Sequence, residues 1–231
     1  MSYLYETHLH TFPVSRCGHA SVRENLEFYK SLGYDGVFIT NHFIESFRDK
    51  RSSGSYEQDI QYFCSDYEDG VEIGKEIGLR VFFAWETSTG GSDFLIYGLD
   101  KQWLLAHPEI LDMKKREQLE FFGAEGALVI QAHPYREAKY IDHIRLFPRS
   151  VHGVEVINAC RTDFENEMAA HYAKSYKLLP FAGSDNHYGA QRPTLAGMRF
   201  DSHIDNEADF VRRIKVGEGE MFFMKNPTLG E

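Results

Sequence analysis

Short apolar runs alternate with longer amphipathic stretches along almost the whole chain. The short runs predict strands at the segments YLYET, GVFIT, RVFFAWE, DFLIYGL, ALVIQA, GVEVIN, LPFAGS and GEMFFM. The longer stretches predict helices over residues 21–33, 55–77, 108–122, 163–176 and 206–216. This alternation is typical of strand–helix units wound around a parallel sheet, so the sequence predicts an α/β barrel. A barrel of 231 residues would be a single domain over residues 1–231.

Two of the predicted helices begin with a recognisable capping pair. Ser21 is followed three residues later by Glu24, and Ser55 is followed by Gln58. In a capping box each side chain satisfies a backbone N–H group of the first turn. These pairs therefore predict where the first two helices begin.

The charge balance limits the partners that the protein can bind. The chain carries 25 basic and 35 acidic residues, which gives a formal net charge of −10. An acidic surface argues against binding to an extended nucleic acid or to an anionic membrane, but it leaves room for a small anion in a local pocket. The N-terminus has no basic region followed by an apolar run, and no apolar run reaches membrane-spanning length. We therefore expect a cytoplasmic protein that does not enter a membrane.

The cysteines predict neither a disulfide framework nor a zinc ribbon. Cys17, Cys64 and Cys160 are odd in number, widely spaced and without a CxxC motif. We expect three reduced thiols.

The segment ETHLHT places two imidazoles at alternate positions of the first predicted strand. His8 and His10 would point to the same face, because side chains alternate along a strand. Two buried imidazoles side by side are hard to satisfy with hydrogen bonds, and a shared metal ion would resolve that problem. An HxH pair on an exposed strand would instead be satisfied by water, so the signal is weak without further ligands.

Further metal-type side chains follow later strands. They occur in ITNHF, FFAWETS, QAHPYR and GSDNHYG, and they are His42, Glu86, His133, Asp185 and His187. His19 lies on the loop after the first strand. A parallel barrel gathers the carboxyl ends of its strands into one rim, so these residues are predicted to converge there. The polar connection 43–55 would hang over the same rim, although a merely solvated loop explains it equally well.

These segments, in this order, resemble the motifs of the polymerase and histidinol phosphatase (PHP) superfamily. The resemblance implies a distorted (β/α)7 TIM-like barrel that holds two or three divalent metal ions at its C-terminal rim. It also implies the following ligands: His8, His10, Glu86 and Asp185 for the first metal, Glu86 and His133 for the second, and His19, His42 and His187 for the third. Glu86 would bridge the first two ions.

The chain departs from the family pattern at two places. Many members carry a histidine on the strand after the bridging glutamate, where this chain has GSDFLIYGL. Asp93 could supply an oxygen ligand there, or it could be a turn residue leading into the strand. The usual TDH of the second motif is here Thr40, Asn41 and His42.

Imidazole and carboxylate ligands suit Zn(II), Mn(II) or Fe(II). Three divalent ions beside Glu86 and Asp185 would leave a pocket charge of about +4, or about +3 if Asp93 also binds. Such a pocket favours a phosphate group, and a metal-bound hydroxide would be the nucleophile. Glu86 and Asp185 are thus predicted to be catalytic as well as metal-binding.

Arginines near the rim could clamp the phosphate. Arg136, three residues after His133, and Arg161, just beyond GVEVIN, are the main candidates. The weaker candidates are Arg16, Arg48, Arg51 and Arg192. Glu155 is predicted either to accept a hydrogen bond from a liganding histidine or to belong to a core pairing.

The function that this sequence favours is hydrolysis of phosphomonoesters of small metabolites by a metal-dependent phosphoesterase. Three alternatives remain open: a phosphodiesterase or exonuclease acting on nucleotide ends, a metal-dependent amidohydrolase, and a metal-binding regulatory module without turnover. The expected partner is a small phosphorylated substrate, and no oligomeric state is predicted.

Overall fold

A mixed sheet with helices on its outer side forms the scaffold of the protein. The computed structural model describes residues 2–43 and 54–230. The strands are β1 (Tyr3–Leu9), β2 (Gly36–Ile39), β3 (Arg80–Thr89), β4 (Ser92–Tyr97), β5 (Leu128–Ala132), β6 (Gly153–Asn158), β7 (Leu179–Gly183), β8 (Thr194–Phe200) and β9 (Glu220–Lys225). The α-helices of these residues are α1 (Val22–Ser31), α2 (Tyr56–Ile77), α3 (Lys101–Ala106), α4 (Lys115–Ala124), α5 (Asp163–Tyr176) and α6 (Glu207–Lys215).

The sheet curls into a nearly closed barrel. Its strand order is β7-β6-β5-β4-β3-β2-β1-β8-β9. A parallel bridge between Leu9 and Asn186, with the His10 N–H donating to the Asn186 carbonyl oxygen at 3.0 Å, brings the end of β7 back to β1. The expected distorted α/β barrel is therefore confirmed.

Two strands, β4 and β8, run against the direction of the rest, which corrects the expectation of a parallel sheet throughout. β4 is antiparallel to both β3 and β5, and β8 is antiparallel to both β1 and β9. Between β3 and β4 lie only Gly90 and Gly91, both with positive φ. A two-residue turn of this kind joins antiparallel strands, whereas a parallel crossover needs a dozen or more residues. The strand β8 was not predicted.

This reversal decides where Asp93 lies. Asp93 stands near the beginning of β4, and it pairs with Ser88 near the end of β3 and with Ala132 at the end of β5. Because β4 is reversed, its amino end lies at the rim formed by the carboxyl ends of its neighbours. Asp93 therefore reaches the same rim as the other predicted ligands.

The helix predictions hold except in one region. Both capping boxes are present, Ser21 with Glu24 at α1 and Ser55 with Gln58 at α2, and α5 has a third, Thr162 with Glu165. The helix predicted over 108–122 is instead a 3-10 turn at Pro108–Leu111 followed by α4, and the unpredicted helix α3 precedes the turn. Proline at the start of that turn disfavours helical backbone in the residue before it, which separates the pieces.

The lower part of the barrel interior is filled with aromatic side chains. Tyr5, Phe38, Phe82, Tyr97 and Phe210 are all buried in one cluster. In the part of the chain that the structure describes, no helix is both long and apolar enough to cross a membrane.

Candidate metal centre

The register of β1 explains how both histidines of the HxH pair enter the barrel. Tyr5 belongs to the interior cluster, whereas Leu9 packs outside, under α1. A strict alternation would place Tyr5 and His8 on opposite faces. The pairing of β1 with β2 is irregular between Glu6 and Leu9, and this bulge moves His8 and His10 to the inner face. Both side chains are fully buried.

His8 and His10 lie next to the carboxylates of Glu86 and Asp185. We name these four residues the inner group. The two Nε2 atoms are 3.1 Å apart. The Asp185 Oδ1 atom lies 3.5 Å from each of them. Glu86 places Oε1 3.5 Å from His8 Nε2 and Oε2 3.3 Å from His10 Nε2.

These separations fit a metal ion. With bonds of about 2.0 to 2.2 Å, neighbouring nitrogen and oxygen ligands of one ion lie about 3 to 3.5 Å apart. Glu86 Oε1 is buried and has no hydrogen-bond partner among the described residues. An orphaned carboxylate oxygen that faces two imidazoles costs free energy unless a cation occupies the space between them. The residues of the inner group therefore fit a divalent ion.

Glu86 also faces two more imidazoles. Its Oε1 atom lies 3.4 Å from His133 Nε2, and its Oε2 atom lies 3.0 Å from His42 Nδ1. His133 has φ +26° and Asp185 has φ +53°, conformations that L-residues rarely adopt. Such strain is concentrated at functional sites, where surrounding contacts hold it in place.

The third cluster differs from the predicted ligand set. His10, Cys17, His42 and His187 each offer a ligand atom, and all four atoms lie within 4.8 Å of one another. We name Cys17, His42 and His187 the outer group. His19 is exposed and stacks on the Tyr188 ring, with 4.6 Å between ring centroids. The structure thus brings Cys17, an unpredicted residue, to this cluster.

The electrostatics of the centre require positive charge. Burial by itself lowers the pKa of His8, but the carboxylates of Glu155, Asp185 and Glu86 outweigh it and raise that pKa well above its usual value. Burial raises the pKa of Glu86, but His42 and His8 outweigh it and hold that pKa well below its usual value. Carboxylates in a buried cluster stay ionised only beside cations, and either imidazolium groups or metal ions can fill that role.

The thiol of Cys17 responds to its neighbours in the same way. Burial raises its pKa, but hydrogen bonds with His187 and His42 outweigh burial and lower the pKa to about 5. Cys64 lies in an apolar core, and burial raises its pKa to about 12. Burial likewise raises the pKa of Cys160 to about 12, so Cys17 is chemically distinct from the other two thiols.

Asp93 lies beside the centre and is paired with an arginine. Its Oδ2 atom is 2.9 Å from Arg136 Nη2 and 3.9 Å from His133 Nε2. Asp93 is buried, so the pair fixes the guanidinium at the rim next to Glu86 and His133.

The other candidate arginines are placed less centrally. Arg161 pairs with Glu165 at 4.0 Å, and Arg192 Nη2 donates to the Ala159 carbonyl oxygen. Arg16 is exposed on the loop after β1. Arg48 and Arg51, together with most of the polar connection 43–55, lie outside the described residues.

Glu155 accepts a hydrogen bond from a predicted ligand. Its Oε1 atom lies 2.9 Å from His8 Nδ1, and its Oε2 atom accepts from the His133 N–H at 3.1 Å. A ring whose Nδ1 donates to a carboxylate presents Nε2 as the free ligand atom. Glu155 therefore fixes the orientation of His8 and the backbone at His133.

Sequence reasoning missed a second supporting carboxylate. Asp66, on α2, accepts hydrogen bonds from Thr11 Oγ1 at 2.6 Å and from Asn41 Nδ2 at 3.2 Å. Asn41 Oδ1 in turn accepts from the Thr11 N–H at 2.8 Å. The asparagine that replaces the usual aspartate is thus paired with a carboxylate from a helix. Sequence spacing alone gave no signal of this contact, because it joins residues 25 positions apart.

Comparisons with known proteins identify the fold. No family model matches the sequence, and no curated protein sequence matches it. A two-domain protein from Bacteroides vulgatus that contains a predicted PHP-like metal-dependent phosphoesterase is similar in structure, with a TM-score of 0.67 and 13% identity over 96% of this chain. The chain spans 65% of the length of that protein.

Two further structures give the same picture. One, from Bifidobacterium adolescentis, is described as a metal-dependent phosphoesterase and has a TM-score of 0.55 and 15% identity, over 80% of this chain and 88% of the other. The second is an amidohydrolase from Chromobacterium violaceum, with bound sulfate and no metal, which has a TM-score of 0.55 and 11% identity over 98% and 99% of the two chains. At these identities the likeness concerns the fold alone, and the chain shares the barrel fold of these structures.

Proposed function

We propose that this protein is a metal-dependent hydrolase of phosphoric esters that cleaves phosphomonoesters of small metabolites. The observation that carries the proposal is the position of Glu86. Its two buried oxygens face separate imidazole pairs, Oε1 towards His8 and His133 and Oε2 towards His10 and His42. A carboxylate in that position is suited to bridging neighbouring metal ions. The descriptions of the Bacteroides and Bifidobacterium structures as metal-dependent phosphoesterases support the same reaction class.

We assign the ligands as follows: His8, His10, Glu86 and Asp185 around one ion, and Glu86 and His133 beside a second. When bound, the ions would acidify a water molecule and neutralise phosphate charge. Zn(II), Mn(II) and Fe(II) all suit the nitrogen and oxygen donors of these two sites.

The residues around the proposed ligands would hold the ligand side chains in a fixed orientation. Glu155 keeps the Nδ1 proton of His8 and so presents Nε2 towards the inner group. Asp66 and Asn41 tie the loop after β1 to the loop after β2, which carries His42. Ligands fixed in this way lose little freedom when substrate binds.

Arg136 is the best-placed group to receive the phosphate. Asp93 holds one terminal nitrogen of its guanidinium, and its Nε atom is buried without a hydrogen-bond partner in the described part of the chain. An arginine fixed by one carboxylate can still donate to phosphate oxygens from its remaining N–H groups. In this assignment Asp93 positions Arg136 rather than binding a metal. Arg161, whose Nε atom is also unpartnered among these residues, would act further from the reacting atoms.

The charge of the centre favours monoesters over diesters. A monoester dianion brings two negative charges to a cationic site and has three free oxygens, whereas a diester brings one charge and a second substituent. The net charge of −10 adds repulsion against a long polynucleotide.

The experiment compares kcat/KM for matched aryl monoesters and diesters, then for sugar, nucleoside and amino-alcohol phosphates, a labelled single strand and a panel of amides, with Zn(II) or Mn(II) present. We expect a monoester to be the best substrate. A higher kcat/KM for a diester or for the single strand would contradict the proposal and indicate a phosphodiesterase. Preference for an amide would indicate an amidohydrolase, the activity by which the Chromobacterium structure is described.

A variant pair tests the role of Arg136. We expect Arg136→Ala to raise KM and lower kcat/KM for monoesters by about 10- to 100-fold, the range for losing a charge-assisted hydrogen bond. Arg149→Ala removes an exposed arginine of the same connection and should leave both constants unchanged. Equal effects of the two changes would exclude Arg136 as the phosphate contact.

A further inference from the structure

The outer group contains a sulfur atom where the resemblance implied a third imidazole. Cys17 lies on the tight turn that follows β1, with the Gly18 N–H donating to the Ser15 carbonyl oxygen at 3.0 Å. A Cβ atom on Gly18 would lie 3.0 to 3.1 Å from backbone atoms of Thr11, Phe12 and Ser15. The closeness of this turn to the β1 backbone places Cys17 beside His42 and His187 and leaves His19 outside.

The imidazoles of the outer group are oriented by other contacts. His187 Nδ1 lies 2.9 Å from the Asp185 carbonyl oxygen, which leaves Nε2 as the free ring nitrogen. The His10 ring, which belongs to the inner group, stacks against both outer-group imidazoles, with centroid distances of 4.5 Å to His42 and 4.3 Å to His187. Because His10 Nε2 already faces the inner group, Cys17, His42 and His187 remain as donors for a separate ion.

We propose that Cys17 is a thiolate ligand of a third metal ion, held together with His42 and His187. The inference deepens the proposed function and rests on its metal centre, but not on the identity of the ester. Three protein ligands leave one coordination position open, as at catalytic rather than structural zinc sites. Cys17 is exposed, and the side chains of His42 and His187 are 26% and 19% exposed, so this open position faces solvent. The ion would therefore lie at the mouth of the site, where a phosphate enters.

A sulfur ligand changes which metal this position accepts. Thiolates select Zn(II) and other soft or borderline ions, whereas oxygen donors suit Mn(II) and Mg(II). The inner group has nitrogen and oxygen donors alone. We therefore expect the inner and outer groups to differ in metal preference. The outer group should bind Zn(II) and exclude Mn(II).

The test uses spectra and thiol chemistry, not turnover. Protein loaded with Co(II) should show a near-ultraviolet sulfur-to-cobalt charge-transfer band, and Cys17→Ser should abolish it. Cys64→Ser is the matched control, because Cys64 lies in the apolar core and belongs to none of the candidate ligand clusters of the described residues, and it should retain the band. Zn(II) should also protect Cys17 from alkylation in the wild-type protein, as measured by peptide mass spectrometry.

A second variant guards against loss of folding. Cys17→Asp keeps a ligand but replaces sulfur by oxygen, so it should retain the metal stoichiometry, lose the charge-transfer band and bind Mn(II) at the third position. His19→Ala should change neither stoichiometry nor spectrum. A band that persists in Cys17→Ser, or alkylation of Cys17 that Zn(II) does not slow, would overturn the proposal. A protein that shows the band but cleaves no phosphoester would refute the proposed function and leave this inference intact.

Discussion

The two halves of the barrel interior are built from the same strands but from opposite chemistry. Phe38 of β2 and Phe82 of β3 fill the lower half. Four residues further on, His42, which lies just beyond β2 and bridges to β3, and Glu86 of β3 stand at the rim. A step of four residues along a strand returns to the same face, so one inward row changes from aromatic to ionisable. The lower half stabilises the fold by burial, while the upper half concentrates groups that are costly to bury without a partner.

The difference shows how the barrel can tolerate its centre. The aromatic half makes close ring contacts, such as the stacked pair Phe38 and Phe82 at 4.7 Å between centroids. The ionisable half contains the strained residues His133 and Asp185 and an orphaned Glu86 oxygen. We expect changes in the lower half to alter stability and changes at the rim to alter metal binding and rate.

The largest expected effect comes from removing the shared carboxylate. Glu86→Ala should lower kcat/KM by about 10³- to 10⁴-fold, because loss of metal assistance costs several kcal/mol of transition-state stabilisation. Elemental analysis should show at least one metal equivalent fewer than in the wild type, and circular dichroism should show a folded protein. His19→Ala should change neither value; equal losses in the two variants would contradict the assignment of Glu86.

Removal of metal ions tests the ionisable half of the barrel without a mutation. Dialysis against a chelator should lower the melting temperature of the wild-type protein, since ions that bind only the folded state stabilise it by mass action. The shift should be smaller in Glu86→Ala than in the wild type. If chelation leaves the wild-type melting temperature unchanged, the rim does not bind metal ions that stabilise the folded state.

The next effect belongs to the aromatic half. Phe210 of α6 is fully buried against Phe38 at 4.3 Å and Tyr97 at 5.3 Å between ring centroids. Phe210→Ala should reduce the free energy of unfolding by about 3 to 5 kcal/mol, measured by urea titration, without changing metal content. Phe164→Ala, on an exposed site of α5, should cost less than about 0.5 kcal/mol. If Phe210→Ala instead loses metal while its free energy of unfolding stays at the wild-type value, the two halves do not have separate roles.

A supporting residue of the rim should have an intermediate effect. Glu155→Gln removes the charge that orients His8 and should lower metal affinity or kcat/KM by about 10- to 100-fold. Glu167→Gln changes an exposed glutamate of α5 and serves as the control. If both variants behave like the wild type, Glu155 belongs to a core pairing and not to the metal centre.

Local patterns predicted most of the fold, but not the places where the sheet departs from regularity. The sequence YLYETHLH alternates without any mark of the bulge between Glu6 and Leu9, because a bulge is defined by the partner strand. The pair Gly90 and Gly91 is a hairpin signal that the alternation of strands and helices obscured. The strand β8 begins after Pro193 and contains a glycine, and both features weaken a strand pattern.

The residues of the candidate site were predictable where a motif carries the proposed ligand, and less so where tertiary packing selects it. His8, His10, His42, His133 and His187 stand in short motifs next to strands, and the structure brings them together. Cys17 and His19 are two residues apart on one loop, and spacing could not decide which of them turns inward. Asp93 reaches the rim because β4 is reversed, a fact of topology that no local pattern contains.

The smallest expected effect lies outside both halves, on the helix cap of α5. Glu165 Oε1 accepts from the Glu137 N–H at 2.9 Å, and Oε2 accepts from the Thr162 N–H at 2.8 Å. Burial raises the pKa of Glu165, but these backbone hydrogen bonds outweigh burial and lower the pKa below its usual 4.5. A carboxyl group whose pKa is lower in the folded state stabilises the fold when ionised. Its contribution is therefore complete above about pH 4.5 and is lost as the pH falls through the folded-state pKa.

Glu165→Gln should accordingly reduce the free energy of unfolding at pH 7 by about 1 kcal/mol or less, the range for a helix cap. The difference between wild type and variant should shrink as the pH falls below 4.5, when urea titrations of the chelator-treated proteins are compared from pH 7 to pH 3. Glu167→Gln should show no such convergence, and kcat/KM at pH 7 should be equal in all three proteins. If Glu165→Gln instead lowers metal content, the amino end of α5 is coupled to the rim through Arg161, and this helix end belongs with the ionisable half of the barrel.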